Sequence, residues 1–270
     1  MNASLAYEEW RLGVRLGRSF RCSFKAGNAR IATMAPDASS LLSGNLERVR
    51  QRIARAAERA GRRAEEITLV AVSKTFSADA IRAAYDAGLR SFGENRVQEF
   101  EAKQPKLADM TDATWHLIGH LQSNKVRRAV HLFHQVDSID SLALAQKLDS
   151  AAAAESKRLS VLIEVHLGDE ETKSGVTEAD LPALADGIET LPHLELRGLM
   201  TIPPYCDDPE AARRYFRKLR ESRDKIGQRL QRTLPALSMG MSHDFEIAIE
   251  EGATEIRIGT ALFGQRDQKG

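Results

Sequence analysis

From residue 41 onward the apolar positions alternate between two periods. Leu46, Val49, Ile53, Ala56 and Ala60 recur three and four apart, so residues 42–60 read as an amphipathic helix with Gly61 as its stop. Residues 67–73 are then a near-continuous apolar run, the pattern of a parallel strand buried on both faces. The alternation repeats. Strands are expected at 91–94, 114–118, 134–137, 160–166, 195–200, 236–239 and 255–258. Helices are expected between them at 78–87, 96–107, 123–131, 140–156, 178–190, 209–231 and 243–251. Ser77 and the run Asp207-Asp208-Pro209 supply helix starts. Eight strands, each connection holding a helix, imply an α/β fold: a single (β/α)8 barrel, the TIM barrel, over residues 41–270. No segment of helical length follows the eighth strand, and the helix at 42–60 is expected to cover that gap. An open doubly wound sheet is the alternative. A dinucleotide site there would place G-x-G-x-x-G after strand one, but Lys74-Thr75-Phe76-Ser77 contains no glycine.

Residues 1–40 lack a lasting period. The first 33 carry Arg11, Arg15, Arg18, Arg21, Lys25 and Arg30 against Glu8 and Glu9. They read as an N-terminal extension, disordered or upstream of the true start, for which Met34 is a natural position. An organelle transit peptide is the weaker reading, and the continuous apolar stretch of a secretory signal is absent. The 270 residues hold 39 basic and 38 acidic side chains. That balance gives no overall field to attract nucleic acid or a membrane surface. No apolar run approaches the ~20 residues that span a bilayer. Cys22 and Cys206 form neither a disulfide framework nor a metal site, and the seven histidines show no metal-ligand spacing, so no metal is expected. A reducing, cytoplasmic compartment fits this usage.

In such a barrel the working residues lie at the C-terminal ends of the strands. Strand one ends at Ser73-Lys74. Alternation puts Thr68, Val70, Val72 and Lys74 on one face, and a lumen-facing amine would sit at the mouth of an apolar tube. Partial desolvation favours the neutral amine, the form that attacks a carbonyl to make a Schiff base. The bland alternative is a lysine that snorkels from a strand end. After strands seven and eight come Gly240-Met241-Ser242 and Gly259-Thr260, small residues where barrels often seat a phosphate. Arg257, between two outward isoleucines, is expected to face the lumen with Glu164 or His166 as partner. Lysine, phosphate cup and inward arginine on one barrel face describe a pyridoxal 5′-phosphate (PLP) site. Trp115, His116 and Asp137 are expected to be packed or hydrogen-bonded, and Lys125, Arg127 and Arg128 to lie on a solvated helix face.

These residues fall in a set of motifs that closely resembles the YggS/PROSC family of PLP-binding, PLP-homeostasis proteins. The motifs are residues 70–75 (VAVSKT), 92–99 (FGENRVQE), 115–119 (WHLIG), 121–125 (LQSNK), 173–175 (KSG), 197–201 (RGLMT), 237–242 (LSMGMS) and 257–264 (RIGTALFG). The resemblance covers 42–267. It implies a single barrel similar to the alanine racemase N-terminal domain, with an extra N-terminal helix. It implies PLP on Lys74, phosphate ligands at Ser242, Gly259 and Thr260, Arg257 facing the pyridine nitrogen, and Asn95 close to the cofactor. Lys173 matches a second lysine implicated in PLP handling. His120 and His243 depart from the family pattern at the rim.

The function implied is PLP homeostasis inside the cell: PLP held on Lys74 without turnover, passed by transient contact to PLP-dependent apo-enzymes, by a monomer. An amino-acid racemase is the alternative. It needs a second base, which alanine racemase takes as a tyrosine from a further domain, and Tyr205 is the one tyrosine expected near the working face. A Schiff-base aldolase acting on a phosphorylated sugar shares the same parts, but the motif set argues against it.

Overall fold

A computed structural model describes residues 38–168 and 174–265. The first helix, α1 (Ala38–Arg59), leads into β1 (Thr68–Val72) and α2 (Ala78–Asp86). Then follow β2 (Ser91–Glu94) and α3 (Val97–Lys103), β3 (Thr114–Leu117) and α4 (Val126–Leu132), β4 (Gln135–Ile139) and α5 (Leu142–Ala154). The second half runs β5 (Leu159–Glu164), α6 (Leu181–Glu189), β6 (Leu194–Met200), α7 (Arg213–Arg229), β7 (Ala236–Ser238), α8 (Phe245–Glu250), β8 (Glu255–Ile258) and α9 (Thr260–Phe263). The eight strands pair in parallel, in chain order, and β8 closes on β1. The expected (β/α)8 barrel is therefore the fold. The extension read at 1–40 lies outside the described residues, apart from 38–40, which belong to α1.

Local signals act where they were read. Ser77 Oγ accepts the Ala80 N–H at the start of α2, and Asp208 accepts the Glu210 N–H before α7. Two expectations needed revision. A four-residue helix, α9, follows the last strand. The fifth strand ends at Glu164: Val165 N–H still bonds Met200 O of β6 at 2.8 Å, but Val165 also bridges Val176, and His166 N–H donates to Val176 O at 2.8 Å. α1 covers the seam as expected: it packs against α8 and α9, with Asn45 donating to Leu262 O at 2.8 Å and Arg52 to the Glu246 carboxylate at 2.8 Å.

The main core lies between sheet and helices and includes Phe92, Phe100 and Trp115, whose rings pack within 5.0 Å of one another through Trp115. Leu162, Met200 and Ala236 form a separate apolar cluster. The rest of the lumen is not the apolar tube expected. His116, Gln135, Asp137, Ser238 and Arg257 are all buried, because β3, β4, β7 and β8 turn polar positions inward.

Candidate cofactor site

The C-terminal ends of the strands enclose a cavity of about 430 Å³. Lys74, Asn95, Ser242, Arg257, Gly259 and Thr260 all line it, so the six residues singled out in sequence meet at one place. Val72, Ile118, Ile202 and Met241 add apolar walls. Alternation along β1 places Val72 on the Lys74 face, and the same rule along β3 could have found Ile118. Met241 belongs to the turn read after strand seven, whereas Ile202 comes from a loop, where periodicity gives no signal. His120, His243, Glu164 and Ser174 also line it. Lys173 lies outside the described residues.

Arg257 is 4% exposed. Its Nη1 donates to Ser238 Oγ and its Nη2 to Thr201 O, each at 2.8 Å. This differs from the partner expected. Glu164 instead accepts the Ser174 hydroxyl at 2.9 Å, and His166 has left the strand. Burial draws the guanidinium pKa below its usual value, and Asp137, Glu164, Asp244 and Glu255 pull against that. Burial also pushes the Glu164 carboxyl up, with the Ser174 hydrogen bond opposing.

Below Arg257, strand register assembles a group that spacing along the chain could not reveal. His116, Asp137 and Glu255 bring ligating atoms within 4.8 Å of one another. His116 Nδ1 and Asp137 Oδ2 stand 3.5 Å apart, at the far limit of a hydrogen bond. Burial disfavours the imidazolium, but Asp137 and Glu255 outweigh it and raise the His116 pKa. Gln135 Nε2 ties Asp137 (2.8 Å) to Glu255 (3.3 Å). The cluster offsets the charge of Arg257 inside the barrel.

The phosphate-cup region is built from tight turns. Gly240 has φ +93°, and a Cβ there would meet Ala248 Cβ at 2.6 Å and Phe245 Cα at 2.9 Å. A side chain is excluded twice over. Met241 N–H donates to Asp244 Oδ1 at 2.6 Å, fixing the turn that carries Ser242. Ser242 Oγ accepts the Ala261 N–H at 3.3 Å, which joins the two turns. At Gly259 an added Cβ would rest in ordinary contact with Val72, its Cβ at 3.5 Å and its O at 3.6 Å, so the Gly259 backbone packs beside β1 at the cavity wall. Together the residues offer an amine, a hydroxyl, main-chain groups and a buried cation around one cavity that opens to solvent. That set suits a small anion carrying a carbonyl.

Among the described residues no tyrosine lines the cavity. Tyr205 is 75% exposed and packs on His243, with ring centroids 5.5 Å apart. Trp115 belongs to the core, and Arg127 and Arg128 face solvent, as expected from sequence.

A family model described as "Alanine racemase, N-terminal domain" matches residues 44–267. The pyridoxal phosphate homeostasis protein of Aquifex aeolicus is 49% identical over 221 residues, which cover 82% of this chain and 96% of that protein. Its namesake in Escherichia coli K12 is 45% identical over 233 residues, covering 84% and 97%. Among solved structures, PipY of Synechococcus elongatus with PLP bound superposes with a TM-score of 0.74 at 41% identity, covering 83% of this chain and all of PipY. Alanine racemase from Corynebacterium glutamicum shares the fold at 18% identity and a TM-score of 0.64, covering 86% of this chain and 63% of the racemase.

Proposed function

This chain belongs to the alanine racemase N-terminal domain family and, within it, groups with the pyridoxal phosphate homeostasis proteins, and on that footing we propose that it binds PLP through Lys74 and serves PLP homeostasis. The observation that carries the reading is the convergence of Lys74, Ser242, Gly259, Thr260 and Arg257 on one cavity. Their chemistry fits the group. When bound, PLP supplies an aldehyde that condenses with an amine to give a Schiff base.

Each residue has a part in this reading. Lys74 supplies the amine. Ser242 would donate its hydroxyl, and the main chain at Gly259 and Thr260 N–H groups, to the phosphate. Arg257 would face the pyridine nitrogen. It is buried, held by two hydrogen bonds and always protonated, so it can offer no acceptor to a proton on that nitrogen. An unprotonated ring is a weak electron sink, which disfavours transamination and decarboxylation. Asn95, just beyond the end of β2, would border the cofactor.

The protein acts as a carrier rather than as a racemase. Racemisation needs a base on each face of the substrate carbon, and the tyrosine that would serve it does not line the cavity among the described residues. The carrier is a cytoplasmic monomer that passes PLP to apo-enzymes by transient contact. No described helix is long and apolar enough to cross a membrane. A sensitive D-amino-acid assay on PLP-loaded protein tests the choice. No turnover is expected, and racemisation that disappears in Lys74→Ala would overturn the carrier reading.

A further inference from the structure

We propose that Glu99 and Lys103 are positioning residues for Lys74, because they clamp the peptide groups on both sides of it and so hold the turn that aims it into the cavity. The proposal rests on the reading of Lys74 as the PLP-bearing residue.

The turn begins where the sheet ends. Ser73 N–H makes a last ladder bond to Gly93 O at 3.0 Å, and Phe76 N–H returns to Ser73 O at 3.1 Å. Lys74 and Thr75 are the two central residues of this four-residue turn. Thr75 has φ +70°, a position that turns of this kind give to glycine or asparagine. For a β-branched residue the left-handed region is an outlier that persists only where the surroundings enforce it.

The enforcement comes from α3. Glu99 Oε1 accepts the Thr75 N–H at 2.5 Å. Lys103 Nζ donates to that same Oε1 at 2.7 Å and to Ser73 O at 3.1 Å. It also reaches Glu94 Oε1 at 3.0 Å, and Glu94 accepts the Ser73 hydroxyl at 2.8 Å. Glu94 is fully buried and the Lys103 side chain is 12% exposed, so water competes little for the bonds of Lys103 and Ser73 to Glu94, while the Thr75–Glu99 bond lies nearer solvent. One ammonium thus binds the carbonyl before Lys74 and the carboxylate that holds the N–H after it. Neither Glu99 nor Lys103 lines the cavity, so they act through the turn. Its far end is also pinned: the Phe76 ring stacks on Phe263 of α9 at 4.7 Å. The clamp therefore sets Lys74 relative to the helix that carries Thr260.

Glu99→Ala removes the acceptor while leaving Lys103 paired with Glu94. Two readouts are made on purified full-length protein. Without cofactor, amide hydrogen exchange at Phe76 should rise about tenfold, because the turn it closes loses its support. With PLP, the apparent dissociation constant from the visible band should weaken about tenfold, the scale expected for a misplaced reacting group. Adding Thr75→Gly to Glu99→Ala should restore both to within about threefold, since glycine takes positive φ without enforcement. Wild-type exchange and affinity in Glu99→Ala would overturn the proposal. So would losses that Thr75→Gly fails to repair, because the defect would then not lie in the turn. A wild-type protein with no visible band would instead sink the cofactor reading, and Phe76 exchange would still decide whether the clamp holds the turn.

Discussion

Arg257 and Ser238 sit on neighbouring strands with both side chains turned into the barrel, and the guanidinium donates to the serine hydroxyl at 2.8 Å. The serine therefore fixes the direction in which a buried cation points. Ser238→Ala should leave the fold intact at a cost of about 1–3 kcal/mol, the scale for an orphaned buried donor. It should also shift the visible spectrum of the PLP-loaded protein by loosening Arg257. Chemical denaturation and absorbance check the two parts, and an unmoved spectrum would mean that Thr201 O alone holds the guanidinium.

Arg257→Glu separates ring from phosphate. It should alter the visible spectrum strongly, because a carboxyl beside the pyridine nitrogen can keep that nitrogen protonated. Retention of inorganic phosphate should change less, since Ser242, Gly259 and Thr260 come from other positions on the rim. A spectrum like that of the unaltered protein would place Arg257 away from the ring.

Gly240→Ala tests the turn behind the phosphate cup. The new methyl meets Ala248 Cβ at 2.6 Å at a φ of +93°. A loss of about 1–3 kcal/mol in denaturant unfolding is expected from the strained backbone alone. PLP affinity should fall with it, because Ser242 lies two residues on. Unchanged stability would contradict the backbone strain assigned to this turn.

The acid limb of stability should involve Glu251, which is buried at the end of α8 among Arg213, Arg217 and Arg220 of α7 at 3.2, 3.0 and 3.1 Å. Burial pushes its carboxyl up, but the hydrogen bonds from Arg217 and Arg213, with Arg220 close by, outweigh that and hold it below the usual carboxylate value. A depressed pKa contributes stability above the unfolded value of about 4.3 and loses it as pH falls through the folded one. Glu251→Gln should cost about 1–2 kcal/mol at neutral pH, reduced by solvent around the arginines. Its stability curve should converge on that of the unaltered protein in acid. A parallel offset at all pH values would contradict this assignment.

Much of this was legible in the chain. The two hydrophobic periods fix strand and helix order, and the 91–94 and 255–258 strands appear at the expected residues. Lys74, Ser242, Gly259 and Thr260 stand out because barrels place chemistry at strand ends. What stayed hidden depends on register between strands. The Arg257 partners come from β7 and the end of β6, not from β5, because Glu164 is taken by the Ser174 hydroxyl and His166 turns to Val176. His116, Asp137 and Glu255 lie 21 or more positions apart, and only the closing of β8 on β1 brings them together. The clamp around Thr75 was unreadable for a different reason: nothing in a Lys-Thr dipeptide announces a positive φ.

Whether Lys74 carries PLP is decided by borohydride reduction of the PLP-incubated protein, followed by peptide mass spectrometry. A phosphopyridoxyl group is expected on Lys74, with loss of both the adduct and the yellow colour in Lys74→Ala. A colourless protein, or an adduct on another lysine that survives Lys74→Ala, would contradict it.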